Sequence, residues 1–230
     1  LCNVLDPGVA VALSSVSNEL RRATQPLLPQ LRADHEAAAA LCLKVGLWSC
    51  KALREAKTVY WYNKGLTAAD LGLLGTLGSF LPALEMLTLV QRSAVPDGVQ
   101  QLAEGLGAGA LPAVTYLSIF SMHVGDAGAS ALAAALGQGA LPRLRLLNLG
   151  CTTIGDAGLV ALAPALRRLP ALENLSLVGN PLSNEGLAAL VAPPPPAGAP
   201  PPPTGGLTKL KALYLSRTQI TDAGCATLVA

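Results

Sequence analysis

From about Ala56 to the C-terminus, one unit recurs along the chain. It reads L-x-x-L-x-L, a polar or small residue, an apolar residue, D-x-G, and then an alanine- and leucine-rich stretch. Aligned on their first apolar position, the copies begin at Ala56, Leu84, Val114, Leu144, Leu172 and Leu210, in steps of 28, 30, 30, 28 and 38 residues. Self-similarity at a near-fixed period predicts a solenoid, in which each unit contacts only its neighbours.

One unit can be read physically. L-x-L alternates with period two, so its leucines point one way and the residues between them the other, as in a strand with one buried face. Asp, Ser or Asn ahead of the alanine-rich stretch suits a helix N-terminus, where an acceptor satisfies orphan N–H groups. Leu162 and Leu166 lie four apart on the side expected to pack on the strands. Gly137-Gln138-Gly139 and Gly105 to Gly109 end their helices. The Leu-Pro pairs beginning at 81, 111, 141 and 169 lead into the next strand, because a residue before proline avoids the helical region. Successive strands must be parallel, since a helix intervenes. The D-x-G slot is Asp97-Gly98 in shifted form, then Asp126-Ala127-Gly128, Asp156-Ala157-Gly158, Asn184-Glu185-Gly186 and Asp222-Ala223-Gly224. The first copy is degenerate: Val59, Trp61 and Leu66 keep the apolar slots, but Ala68-Ala69-Asp70 replaces D-x-G.

Composition supports a continuous core: 51% of the residues are hydrophobic and 13% charged, too apolar for disorder. The net charge of +2 comes from scattered basic residues, which leaves no footprint for nucleic acid. Long apolar runs are broken by charges, Pro and Gly, so no membrane span is expected. Five cysteines occur, Cys2, Cys42, Cys50, Cys151 and Cys225, at spacings of neither a zinc site nor a redox C-x-x-C pair. Free thiols in a reducing compartment are one reading, and they place the protein inside the cell, in the cytoplasm. A Cys42–Cys50 bridge in a secreted chain is the other. The chain starts at Leu1 without methionine and stops inside a repeat's helix, so a longer natural protein is expected.

Residues 1–52 lack the repeat and are expected to form an all-helical N-terminal cap. Asp6-Pro7-Gly8 reads as a helix start. Val9, Leu13, Val16 and Leu20 then follow helical spacing up to Arg22. Pro26 and Pro29 break that helix. A second helix is predicted over Leu31 to Val45, stopped by Gly46, and a third over Ser49 to Ala56. At the other end, PPPPAGAPPPP (193–203), inside a proline-rich insertion at 192–206, lengthens the last step. Such a run adopts polyproline II. It is either a ligand for a proline-recognising domain or a tolerated surface loop.

These segments carry a family resemblance. LRLLNLGCTTIGDAGLVALAPAL (144–166) and LENLSLVGNPLSNEGLAALV (172–191) resemble leucine-rich repeats. The step of 28 residues and the helix after D-x-G resemble the ribonuclease-inhibitor-like subclass. The resemblance covers residues 53–230 and implies an α/β horseshoe solenoid of about six units, with parallel strands on the concave side and helices on the convex side. The ladder position, usually Asn or Cys, is Lys64, Arg92, Met122, Thr152, Asn180 and Thr218. Only Asn180 is standard, which implies an incomplete internal ladder and looser early repeats. Residues 1–22 resemble the second half of an F-box: Leu5-Asp6-Pro7, an apolar helix, then Val16-Ser17-x-x-Leu20-Arg21. A plain helical cap explains the same residues.

Catalytic chemistry finds no constellation. His35, between Asp34 and Glu36, reads as solvated, and His123 as a loop residue past a strand; neither has metal-ligand spacing. Gly105 to Gly109 lacks the Gly-Lys-Ser/Thr of a phosphate loop. Asp126, Asp156 and Asp222 recur as caps rather than as acid–base pairs. The signal lies in the aromatics. Tyr60, Tyr62, Tyr116, Tyr214 and Phe120 all fall on outward strand positions, and tyrosine supplies rigid, amphipathic interface area. It also has high strand propensity. Met86, Arg145, Asn148, Asn174 and Arg217 are expected on the same concave face, beside Lys57, Glu85, Thr115, Glu173 and Lys211. The expectation is a non-enzymatic module that needs no cofactor or metal and binds a protein or peptide there. The F-box resemblance implies a substrate adaptor in ubiquitin ligation, whose N-terminal helices engage the ligase core. The repeat subclass is also similar to Ran GTPase activators, which implies GTPase activation as an alternative; that role needs a specific rim arginine, and no motif marks one among Arg92, Arg145 and Arg217. An orphan structural repeat fragment is the remaining reading.

Overall fold

The computed structural model describes residue 22 and residues 25–92, 95, 97–190, 207 and 209–226. The helix expected over 9–22, apart from Arg22, the F-box-like segment, Cys2 and the proline run lie outside the described residues. Two helices, α1 (Leu28–Val45) and α2 (Cys50–Glu55), precede the repeats. Strand and helix then alternate: β1 (Thr58–Tyr62), α3 (Ala68–Leu77), β2 (Met86–Val90), α4 (Gly98–Gly105), β3 (Tyr116–Phe120), α5 (Gly125–Gly137), β4 (Leu146–Asn148), α6 (Asp156–Arg168), β5 (Asn174–Ser176), α7 (Asn184–Leu190), β6 (Ala212–Tyr214) and α8 (Asp222–Ala226). A 3-10 turn over Gly78–Phe80 follows α3.

The strands form one parallel sheet in chain order, β1 to β6. Thr58 pairs with Met86, Met86 with Tyr116, Tyr116 with Leu146, Leu146 with Asn174 and Asn174 with Ala212. Each strand therefore starts two residues after the first apolar position of its repeat, so the unequal steps are absorbed outside the strands. The leucine slots stack into columns. Leu84, Val114, Leu144 and Leu172 form one, Leu87, Leu117, Leu147 and Leu175 a second, Leu89, Ile119, Leu149 and Leu177 a third, all buried. Helix leucines such as Leu132, Leu162, Leu166 and Leu187 close the other side of the same core. Each fully buried leucine contributes about 1.5–3 kcal/mol before entropy. In the last repeat Leu210, Leu213 and Leu215 are only partly buried.

Three expectations are corrected. Pro29 does not end a helix. It sits in the first turn of α1, where its missing N–H costs nothing, and α1 begins at Leu28, three residues ahead of the expected Leu31. His35 is half-buried on α1 rather than solvated. Third, the D-x-G acceptors serve the next repeat's helix instead of their own. Asp126 Oδ1 accepts from Gly155 N at 2.8 Å and Gly158 N at 3.0 Å. Asp156 accepts from Ser183 N at 2.8 Å and Ser183 Oγ at 2.5 Å, and from the Gly186 N–H. Asn184 accepts from Thr221 N at 3.0 Å. Burial would raise the Asp156 carboxyl, but the Ser183 and Gly186 hydrogen bonds outweigh it and hold the group below the usual carboxylate range.

The glycine of D-x-G makes this contact geometrically possible. A Cβ at Gly158, Gly186 or Gly224 would lie 2.5, 2.2 or 2.1 Å from the carboxylate or amide oxygen of the preceding repeat. Two helix ends follow the sequence pattern. Ser49 caps α2, accepting from Ala52 N at 3.1 Å. Gly46 ends α1 in the left-handed region, at φ 88°. Leu111 and Leu141, ahead of proline, leave the right-handed helical region as expected, but for φ 53° and 55°. Their burial, and hydrogen bonds from their N–H groups to Gly78 O and Ala110 O of the preceding repeat, offset that strain.

At the N-terminal end, Lys44 of α1 meets Asp70 of α3 at 2.5 Å. Asp70 also closes a capping box with Thr67. Burial raises its carboxyl, but hydrogen bonds from Lys44 and Thr67 bring it below its ordinary value. The degenerate first repeat thus caps itself and binds the flanking helix.

Two substitutions test this packing. Leu147→Ala removes a fully buried leucine and is expected to cost about 2–5 kcal/mol in denaturant unfolding; a cost below about 0.5 kcal/mol would reject the register, since that is the range of surface changes. Gly to Ala inside a helix ordinarily gains about 0.5–1 kcal/mol. Gly186→Ala is expected instead to lose about 1–3 kcal/mol by overpacking. Gly137→Ala, where a Cβ meets nothing within 4 Å, is the control that should be neutral or stabilising.

Candidate protein-binding face

Alternation along the strands sorts residues between the core and the sheet's open face. In β1, Val59 and Trp61 are buried whereas Thr58, Tyr60 and Tyr62 are exposed. The register aligns the open face into rows. Thr58, Met86, Tyr116, Leu146, Asn174 and Ala212 form the first; Tyr60, Thr88, Ser118, Asn148, Ser176 and Tyr214 the second. Tyr62, Val90 and Phe120 form a shorter third row. Eight expected site residues therefore lie on strand positions of one face: Tyr60, Tyr62, Met86, Tyr116, Phe120, Asn148, Asn174 and Tyr214. Tyr60 is 62% exposed and Tyr214 53%, high values for large amphipathic side chains.

The face has two chemical zones. Over β1 to β3 it is aromatic and apolar, with Tyr60, Tyr62, Met86, Val90, Tyr116 and Phe120. Over the middle of β2 to β5 it is small and polar, and Asn148 Nδ2 donates to Ser118 Oγ at 3.1 Å. Asn148 Oδ1 accepts from Gly150 N at 3.0 Å. Gly150 lets the Phe120 ring lie close to the backbone, since a Cβ there would be 2.9 Å from the ring.

Arg145 and Arg217 lie beside the strands, not on them. Arg145 belongs to the rim where strands start, with Lys57, Glu85, Thr115, Glu173 and Lys211, joined by backbone hydrogen bonds from each residue to the one before it. Charges alternate along this rim: Lys57 lies 3.7 Å from Glu85 and Lys211 2.9 Å from Glu173. The Lys211 hydrogen bond and charge, with Arg145 nearby, hold the Glu173 carboxyl below its ordinary value. Arg217 occupies a turn after β6 with φ 59° and is exposed.

The opposite rim, where strands end, carries Lys64, Arg92, His123 and Arg217. A cleft of about 440 Å³ opens there, lined by Gln91, Arg92, Ser121, Met122, His123, Cys151 and Thr153. His123 Nδ1 lies 2.8 Å from Thr153 Oγ1, whose hydroxyl donates to Thr152 O at 2.6 Å.

Beneath this rim runs the internal ladder. Asn180 is buried; it donates to Leu149 O at 2.7 Å and Leu177 O at 3.0 Å, and accepts from Thr152 N at 3.2 Å and Ile154 N at 3.0 Å. Thr152 Oγ1 donates to Leu149 O at 2.8 Å and Thr218 Oγ1 to Leu215 O at 2.7 Å. Met122 fills its slot as a buried apolar residue. In the second repeat the buried polar side chain is Gln91, not Arg92: its amide exchanges two 2.7 Å hydrogen bonds with the Leu66 backbone. The consensus spacing pointed one residue too far; the only sequence signal was an amide beside the expected position.

Cys42, Cys50, Cys151 and Cys225 are free thiols. Burial, then the adjacent Cys50 thiol, push Cys42 up to about 12. Among the described residues no group of three or more His, Cys, Asp or Glu is placed to hold a metal ion, and no helix is long and apolar enough to cross a membrane. A thiol-reagent time course on the folded protein at neutral pH, read by peptide mass spectrometry, is expected to modify Cys225 and Cys151 well before the buried Cys42 and Cys50.

The leucine-rich repeat family model matches residues 141–163, 170–191 and 206–229. No curated protein sequence matches the chain. Among solved structures, the actin-binding site 2 of leiomodin-1 is similar at 14% identity and TM-score 0.41, with 85% of this chain and 84% of that one covered. InlP of Listeria monocytogenes is similar at 13% identity and TM-score 0.41, over 82% of this chain and 52% of that one. An internalin-like protein of the same organism gives 14% identity and TM-score 0.40, over 80% and 54%. The chain thus spans about half the length of those two Listeria proteins. Six parallel strands in chain order with a helix after each make this an α/β solenoid, and its segments 141–163, 170–191 and 206–229 match leucine-rich repeats.

Proposed function

We propose that this solenoid is a non-enzymatic protein-binding module of the ribonuclease-inhibitor-like subclass, which holds a protein or peptide on the concave face of its sheet. The observation that carries the reading is the exposure of Tyr60, Tyr62, Met86, Phe120 and Tyr214 on positions that alternate with the apolar core, buried in β1 to β3 and partly buried in β6. Rigid amphipathic rings lose little entropy on binding and dominate interface energetics. Asn148 and Asn174 add hydrogen-bonding capacity, and Tyr116, Arg145 and Arg217 border the same surface. The free thiols support a reducing, intracellular setting.

A finer reading makes the module a substrate adaptor in ubiquitin ligation. Leu43 and Trp48, 73% and 93% exposed at the corner of α1 and α2, offer a second apolar surface on which a ligase core would dock. GTPase activation of the Ran type is the alternative, and Arg92 in its cleft is the arginine that it would use.

Replacing Tyr60, Tyr116 and Tyr214 together by Ala is expected to abolish partner capture in pull-downs while circular dichroism stays unchanged; undiminished capture would sink the reading. Trp48→Ala should spare that capture and weaken binding to a purified ligase core. GTP hydrolysis by Ran should be unaffected by the protein, and stimulation lost on Arg92→Ala would promote the alternative.

A further inference from the structure

We propose that the concave face takes a partner segment that is both acidic and aliphatic. Its apolar side chains would lie on the patch of Tyr60, Tyr62, Met86, Tyr116 and Phe120, and its carboxylates would point to the strand-end rim beside Arg92. The inference rests on the protein-binding reading above and names the chemistry of the partner.

Charge is distributed unequally between the two rims. Where strands start, cations and carboxylates pair with each other, Lys57 with Glu85 and Lys211 with Glu173. Where strands end, the segments 63–67, 91–97, 121–125, 151–155, 178–183 and 216–221 hold Lys64, Arg92, His123, Arg217 and the acidic Asp97, and the Asp126 and Asp156 carboxylates that reach Gly155 and Ser183 are occupied by hydrogen bonds there. Neither Lys64 nor Arg92 has an ion-pair partner among the described residues. Lys64 leans towards the end of α1, its Nζ 3.7 Å from where a Cβ on Gly46 would be. Arg92 is exposed and lines the cleft.

The patch and that rim are contiguous. Tyr62, Val90 and Phe120 are the last residues of their strands, and Asn63, Gln91 and Ser121 follow them at once. The cleft therefore opens at the end of the aromatic rows. His123 and Thr153 are also exposed there, with Thr153 Oγ1 2.8 Å from His123 Nδ1.

A partner that lies across this junction meets apolar rings on one side and an unpaired guanidinium on the other. An aliphatic side chain gains by covering the rings. A carboxylate forms a charge-assisted, bidentate pair with arginine. A basic partner would be repelled. A nucleic-acid strand could also use tyrosines and cations, but Lys64, Arg92, His123 and Arg217 are spread over four repeats rather than forming a continuous basic stripe.

The test selects peptides from a random phage-displayed library on the immobilised full chain, with three variants run in parallel. Wild-type selection is expected to enrich Asp or Glu next to Leu, Ile, Met or Phe. Lys64→Glu/Arg92→Glu, which changes only exposed residues, should lower the affinity of those peptides at least about tenfold and turn selection towards basic sequences. Tyr60→Ala/Tyr116→Ala/Phe120→Ala should abolish their recovery. Enriched peptides without acidic residues, no enrichment, or affinity unchanged by the charge reversal would overturn the proposal. Peptides that need the aromatic residues but ignore the charge reversal would leave the binding-face reading intact and remove this inference alone. Peptides indifferent to the aromatic triple variant would remove both. Fluorescein-labelled oligo-dT is expected not to bind in anisotropy, and tight binding would overturn the choice of an acidic peptide.

Discussion

The hydrogen bonds from one repeat's D-x-G acceptor to the helix start of the next govern how these units stack. An isolated strand–helix unit exposes two apolar flanks and the N–H groups at its helix start. Asp126, Asp156 and Asn184 satisfy those donors across the repeat boundary. The same contact sets the distance between successive helices, because Gly158, Gly186 and Gly224 leave no room for a Cβ under the oxygen. Stacking distance and polar satisfaction are therefore one constraint. It also explains why the motif pairs an acceptor with glycine, which the needs of a single helix would not.

That constraint weakens toward both ends in different ways. The first repeat has no D-x-G, and Asp70 turns instead to Thr67 and Lys44, so the solenoid is joined to α1 by an ion pair. The second repeat has Asp97 in left-handed geometry without a side-chain cap, but Gln91 replaces the ladder with two hydrogen bonds of its own. The expected looseness of the early repeats is thus offset by a polar side chain displaced by one residue. In the sixth repeat the leucine slots are half-covered, because no further repeat lies over them among the described residues.

Function depends on the positions that the stacking leaves free. With leucines committed inward by the strand alternation, every second strand residue faces away from the core, and most of these, though not the buried Ser118, are open to a partner. In the first three repeats most of those positions are aromatic or apolar, whereas along the middle of β2 to β5 they are Thr88, Ser118, Asn148 and Ser176. One face thus offers large contact area at one end and hydrogen bonding along its middle. The two rims differ as well: lysines pair with carboxylates where strands start, whereas Lys64 and Arg92, where strands end, have no ion-pair partner among the described residues.

Much of this was legible from spacing. Period two fixed the buried columns of leucine, and the repeat alignment placed every strand start, because a parallel ladder keeps register regardless of the connector length between strands. The tyrosines followed from the same parity. Other features depend on partners distant in sequence. Nothing in a single repeat shows that Asp156 serves Ser183 and Gly186, that Gln91 reaches back to Leu66, or that Arg92 and His123 share a cleft. The sequence by itself determined the unit, its inward and outward faces and its parallel order, since those follow from local periodicity. Only the tertiary structure decided which polar groups satisfy each other and which stay free for a partner, since that depends on distances between side chains about one repeat apart.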